Sequence, residues 1–362
     1  MTSSADSPAR PPAAAEAGPQ RHRAGRIAYA IDFVDNPAYV AGARGLFSEA
    51  LLRRLERANV PSRRVVFFDG GRSRVEEINS DYGVTSPSLL LRDATRSTET
   101  YCKQLTDLAF CVDRPLPGES TAPLVPPTFE PLAEVRTVAG LACRKGRHSD
   151  GVRPQVVWYA PGLLVDDPTG AVERREGVPG LLAGWEVVPA AKGVSQLQRV
   201  TVQEIALGPQ PAALFAVPSD HQRFPSVDAA RLENRRRLKA RAAAEAAARP
   251  LAEAERRRFE GRWHLVAPDD AVVVDVEYAG DKERWTNRYR FRTTILSAPT
   301  VEGRRPVERP ASLQGRTLLV EEPPNFALYD LTDDGRGLAL RGNPVFSYRR
   351  ASEAEGKGGR PR

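Results

Sequence analysis

Apolar and polar residues alternate from Arg26 to Phe33, which puts Ile27, Tyr29, Ile31 and Phe33 on one face and predicts a β-strand. Leu46, Phe47, Ala50, Leu51 and Leu55 then recur at helical spacing and predict a helix from about Val40 to Ala58. Period two returns in Arg64 to Phe68 and Arg72 to Ile78. These runs flank Asp69-Gly70-Gly71, residues that tolerate the positive φ of a tight hairpin turn. Leu89 to Arg92 and Thr98 to Leu105 flank a second polar turn. Six prolines between Pro115 and Pro131 predict an extended connector that leads into a strand at Glu134.

From Glu134 to Pro218 the pattern is a series of strands broken by one well-specified turn. The order is Val138-Ala139-Gly140-Leu141-Ala142-Cys143-Arg144-Lys145, Val156-Val157-Trp158-Tyr159, Gly177-Val178-Pro179-Gly180-Leu181-Leu182, Trp185-Glu186-Val187-Val188 and Leu214-Phe215-Ala216-Val217-Pro218. Pro179 and Gly180 fit a type II turn, with φ fixed near −65° and then positive, and their role is read as structural. The series resembles the bacterial GLPGLI-type family and its relatives of unknown function, over about residues 25 to 222. Val178 stands where that family has Leu, and Ala183 and Gly184 stand where it has branched residues. The resemblance implies a curved antiparallel half-barrel like the lipoprotein carriers, with the early helix inserted. It implies a cell-envelope or periplasmic protein and an apolar ligand or acyl chain held on the concave face by Phe47, Leu51, Val157, Trp158, Leu181 and Trp185.

Beyond residue 223 the composition shifts abruptly. Between Arg231 and Arg258 nine Arg and one Lys face four Glu, which gives +6 of the whole chain's +7. Glu233 and Arg237, then Glu245 and Arg249, stand at i,i+4 spacing on an Ala-rich helix, and Pro250 ends or kinks it. A phosphate-binding groove would draw cations from several elements and interleave aromatics, so nucleic acid is disfavoured. A solvated linker helix over 228 to 258 is the simplest reading; contact with anionic lipid or nucleic acid is the other. Phe259 to Leu265 then opens a second antiparallel β-domain, continued by Val272 to Tyr278, Trp285 to Leu296, Thr317 to Val320, Ala327 to Leu331, Leu338 to Leu340 and Val345 to Arg349. The Gly261-x-Trp263 opening resembles the lipocalin type and implies Trp263 as a barrel plug crossed by Arg349. The alternative is that Trp263 is simply a core aromatic. About 90 residues are short for a ligand cup.

The expected organisation is therefore mainly β with some α: a tail over 1–24, a half-barrel over 25–223, the helix, a small barrel-like domain over 259–350, and a tail over 351–362. At 362 residues and 41% hydrophobic content the chain can bury two cores. No run reaches the ~18 apolar residues of a spanning helix. Met1 to Gly25 shows no apolar leader segment, which fits either a protein inside the cell or a start that follows a removed leader; the family resemblance favours export.

Catalytic and cofactor motifs do not emerge: there is no Gly-x-Ser-x-Gly, phosphate loop or His-Glu-x-x-His. His22, His148, His221 and His264 are scattered, with His148 and His221 in the composition of surface turns. Asp166-Asp167, Asp269-Asp270 and Asp333-Asp334 also read as solvated turn pairs. Cys102, Cys111 and Cys143 lack metal-ligand spacing. If Leu105 to Leu108 is a tight turn, Cys102 faces Cys111 across a hairpin at a site where a disulfide is possible; two buried thiols are the alternative. Two function classes follow. One is a non-enzymatic envelope protein holding a lipid or acyl chain. The other is a two-domain scaffold presenting β-surfaces to envelope protein partners. A filled core would favour the second.

Overall fold

A computed structural model of the chain describes residues 20–36, 60–78, 88–116, 126–150, 154–187, 196–248, 253–266, 272–279, 288–295, 305–314, 316–322, 325–332, 334–341 and 347–351. The expected helix over 40–58, with Phe47 and Leu51, lies outside them. The described residues are mainly strand. In chain order the first fourteen are β1 (Gln20–His22), β2 (Ala24–Asp35), β3 (Arg63–Asp69), β4 (Arg72–Ile78), β5 (Ser88–Asp93), β6 (Thr98–Gln104), β7 (Ala109–Pro115), β8 (Thr128–Val138), β9 (Leu141–Ser149), β10 (Pro154–Ala160), β11 (Leu163–Val165), β12 (Leu181–Val187), β13 (Gln196–Leu207) and β14 (Gln222–Phe224). Helices α1 (Val227–Ala248) and α2 (Glu253–Arg257) precede β15 (Gly261–Leu265), β16 (Val272–Tyr278), β17 (Arg288–Ile295), β18 (Val307–Gln314), β19 (Thr317–Glu322), β20 (Asn325–Leu331), β21 (Gly337–Leu340) and β22 (Ser347–Arg350).

Two meanders meet in the first domain. Strands β2 to β7 form one in sequence order, β8, β9, β10, β12 and β13 form the other, and β13 pairs with β2 to fuse them into a twelve-stranded sheet bounded by β8 and β14. The Asp69–Arg72 turn is a two-residue hairpin with Gly70 and Gly71 at φ 55° and 97°, the positive values a type I′ turn requires. Ile27, Tyr29 and Ile31 of β2 turn to the core as their alternation predicts. The face they share with Val66, Phe68, Val157, Trp185 and Val200 is covered by the chain's own segment from Ala160 to Leu182. Within that segment the buried Asp167 accepts from the Thr169 amide and hydroxyl and from the Val172 amide at 2.6–3.0 Å. Thr169 Oγ1 in turn meets Ser73 Oγ at 2.7 Å and ties the segment to β4.

Several expectations are corrected. Residues 20–24 belong to the fold: β1 runs parallel to β11. Residues 214 and 215 lie in a 3-10 turn (Ala212–Phe215) begun after Pro211, with Phe215 under the Arg72 guanidinium, rather than in a strand. Strand β8 begins at Thr128, inside the stretch expected to be a proline connector. Gly177, at φ 80°, takes the third position of the hydrogen-bonded turn from Arg175 to Val178, three residues earlier than the turn expected at Pro179-Gly180. Gly180 instead sits against the backbone of Ala160, where a Cβ would meet the carbonyl oxygen at 2.2 Å.

The second domain is a closed barrel, β15 to β22 in order, with β15 paired to both β16 and β22. Trp263, Leu265, Val274, Phe291, Leu318 and Val320 fill it, all at 0–1% exposure, so the barrel has a solid core rather than a cup. Trp263 Nε1 donates to the Phe259 carbonyl. The arginine over its ring is Arg350, not Arg349: the Arg350 guanidinium lies 5.3 Å from the ring centroid and donates to the Arg258 and Glu260 carbonyls. In the register Arg349 stands opposite His264, one residue out of phase with Trp263.

Helix α1 is a bridge rather than a solvated linker. Ser226 caps it, its Oγ accepting from the Ala229 amide. Ala230 is fully buried against Leu108, Phe110 and Val112 of the first domain. Leu238 packs on Leu319 and Leu328 of the barrel's outer face. Between them, Asp107 at the tip of the β6–β7 hairpin donates its amide to Asn234 Oδ1 at 2.9 Å, accepts from Arg237 at its carbonyl, and pairs its carboxylate with Arg241.

Candidate functional site

The expected ligand residues separate by strand parity. Val157 and Tyr159 of β10 point into the core, with Leu181 and Trp185, at 0–9% exposure. Val156 and Trp158 alternate with them and emerge on the opposite face, where Trp158 is half-buried. Of the expected residues that the structure describes, Trp158 is the one not buried; Val157, Leu181 and Trp185 belong to the core that the segment following Ala160 closes, and Trp185 also borders the groove under which Trp158 lies.

Trp158 forms the floor of a groove of about 690 Å³, walled by the end of β8 on one side and by β12 and β13 on the other. The Ala139–Gly140 turn at its rim has φ 47° and 80°, so Ala139 holds a left-handed conformation unusual for a side-chain-bearing residue. Arg136 of β8 stacks on the Trp158 ring, 3.9 Å from its centroid, and Lys145 of β9 lies 5.8 Å from it. Gly184 stands across from Trp158 in the register, where a Cβ would press on the Val200 carbonyl oxygen at 3.0 Å and reach ordinary contact distance, 3.6 Å, from the Arg136 guanidinium. Lys145 pairs with Glu134 at 2.7 Å and Arg199 with Glu186 at 2.8 Å. The Arg136 side chain makes no hydrogen bond or ion pair among the described residues. Burial pulls its guanidinium below the ordinary value; Cys143 acts the other way, and the like charge of Arg199 lowers it further. It remains a cation at any working pH.

Cys102 and Cys111 face each other in the register, with Cα atoms 4.1 Å apart, and are joined by a disulfide. Leu105 donates to the Leu108 carbonyl and closes the turn on which the expected pairing depended. Cys143 is a buried free thiol; burial raises its pKa, which keeps it protonated and unreactive. His148 is buried among Phe129 and Gln155 rather than in a surface turn, and desolvation, then the Arg175 charge, lowers its pKa. His221 rests on Asp220 at 2.8 Å. Asp166 is partly exposed and pairs with Arg23, whereas Asp167 is the buried organiser of its loop and not a solvated partner. Asp269, Asp270 and Asp333 lie outside the described residues, and Asp334 accepts from Thr332 and the Arg336 amide. Among the described residues no group of three His, Cys, Asp or Glu is placed to hold a metal ion, and no helix is long and apolar enough to cross a membrane.

No known protein family matches the chain, and no curated protein does. Among solved structures it aligns with PNGF-II in two crystal forms, at 8% and 9% identity and TM-scores of 0.29 and 0.30. These alignments cover 75% of this chain and 40% and 43% of PNGF-II, so the chain spans well under half of that protein. It also aligns with MucB in complex with MucA(peri), at 10% identity and a TM-score of 0.29, over 91% of this chain and 94% of the other; the same pair is recorded for Pseudomonas aeruginosa. Similarity at this level assigns the chain to no family.

Proposed function

We propose that this chain is a non-enzymatic cell-envelope protein that presents the surfaces of two β-domains to protein partners. The observation that carries this reading is the filled interior of both domains. The segment 160–182 occupies the face of the sheet that an acyl chain would need, and Trp263, Phe291 and their neighbours occupy the barrel. An apolar ligand gains most of its affinity by entering a preformed apolar cavity. Here it would first have to displace the protein's own buried side chains, each worth about 1.5–3 kcal/mol. The lipid-carrier reading is therefore the weaker of the two. The Cys102–Cys111 disulfide supports an oxidising compartment, because such bridges seldom persist in a reducing cytoplasm.

What stays accessible is surface: the long strand β8 at the end of the sheet, with Val135 65% exposed, and the groove beside it. A photo-crosslinking residue at Val135, compared with one at the exposed Val307 of the barrel, tests the reading in producing cells. Protein adducts of defined mass from Val135 are expected. Adducts only to lipid, or none from either position, would overturn it.

A further inference from the structure

We propose that the groove over Trp158 docks an extended peptide segment of a protein partner, read through an acidic side chain whose carboxylate the Arg136 guanidinium takes. The proposal rests on the protein-binding reading above and names the site and the chemistry of its partner. Three cations, Arg136, Lys145 and Arg199, surround the groove, and two carboxylates, Glu134 and Glu186, neutralise Lys145 and Arg199. Arg136 is left with the indole face alone. Stacking fixes the plane of a guanidinium and leaves its N–H edge free, the arrangement that suits a bidentate carboxylate. A bound anion would also relieve the repulsion between Arg136 and Arg199.

The surroundings favour a peptide over a lipid headgroup. Val156, half-buried beside Trp158, gives the groove an apolar patch between the charges that suits a short side chain of a peptide. The groove also runs beside β8, the end strand of the sheet, which an extended segment can follow.

The test uses the full chain and two fluorescein-labelled peptides, Gly-Val-Val-Glu-Val-Val-Gly and its Gln twin, followed by fluorescence anisotropy. The Glu peptide is expected to bind about fivefold tighter than the twin, the scale of one partly exposed charge pair, and the preference should shrink with added salt. Arg136→Gln should abolish the preference with an unchanged melting temperature, and Arg136→Lys should keep only part of it. Equal binding of the twins, or a preference that survives in Arg136→Gln, would overturn the proposal. So would Arg136-dependent binding of inorganic phosphate or of phosphatidylglycerol vesicles without discrimination between the peptides. Protein adducts at Val135 that persist in Arg136→Gln would leave the protein-binding reading standing and remove the groove from it.

Discussion

Three tryptophans among the described residues carry an arginine over the ring, and two of them, Trp263 and Trp158, differ most in what the arginine has left to do. Trp263 is fully buried, and Arg350 above it donates to the Arg258 and Glu260 carbonyls, so the pair fastens the entry of the barrel to its last strand. Trp158 is half-buried, and Arg136 above it meets no carbonyl or carboxylate among the described residues. The same contact is a completed joint in one place and an unfilled valence in the other. What separates structure from candidate function is thus the partner of the guanidinium, not the stack itself.

The largest expected effects test the completed joint. Trp263→Ala should destabilise the barrel by about 3–5 kcal/mol, whereas Trp158→Ala should cost less than about 1 kcal/mol; urea denaturation of both variants compares them. Equal losses would erase the distinction. Gly180→Val should cost on the order of 3 kcal/mol, because the new side chain would strike the Ala160 carbonyl at a φ of 156°, and thermal melting checks it. That variant loosens the segment covering the core face, so it should also make the first domain bind apolar dyes that the parent excludes.

A disulfide across nine residues closes a short loop, and Cys102→Ser with Cys111→Ser should cost about 2–3 kcal/mol by loop entropy. Because the hairpin tip carries Asp107, the same variant should increase proteolysis within α1. Arg350→Gln should lose about 1 kcal/mol with its two carbonyl bonds, against less than about 0.5 kcal/mol for Arg136→Gln. The smallest effect is electrostatic. The His148 pKa lies below the ordinary ~6.5, so the unfolded chain takes up its proton first on acidification. Stability from this group should be intact above pH ~6.5 and fall as pH drops through that value toward the folded pKa; His148→Phe should flatten that slope in pH-dependent melts.

Local rules carried much of the architecture. Alternation located β2, Gly70-Gly71 located a hairpin, and counting outward from Leu105 and Leu108 paired Cys102 with Cys111. Two strands were hidden by their own irregularities. In β13 a bulge between Val202 and Glu204 shifts the phase of the alternation, and in β18 Pro310 reads as a break although it sits in the ladder opposite Arg290. The pairing of β13 with β2 joins residues more than 160 positions apart, and nothing local encodes it.

The groove was legible in part. Trp158 stood out as a strand aromatic, but its face was misassigned because the covering segment 160–182 carries no periodic signal. Arg136 was invisible for a different reason: an arginine in an exposed strand becomes notable only when its neighbours prove to be paired and it does not. The role of α1 was also hidden, since Ala230 and Leu238 are too few to show as an apolar stripe on so charged a helix.

The central claim is that both interiors are filled by the chain itself and that the protein works through its surface. Native mass spectrometry of the full chain, purified from producing cells without detergent, tests this most directly. The account predicts the mass of the polypeptide less the two hydrogens of one disulfide, with no small-molecule adduct. A stoichiometric lipid or acyl adduct that persists under gentle ionisation would contradict it.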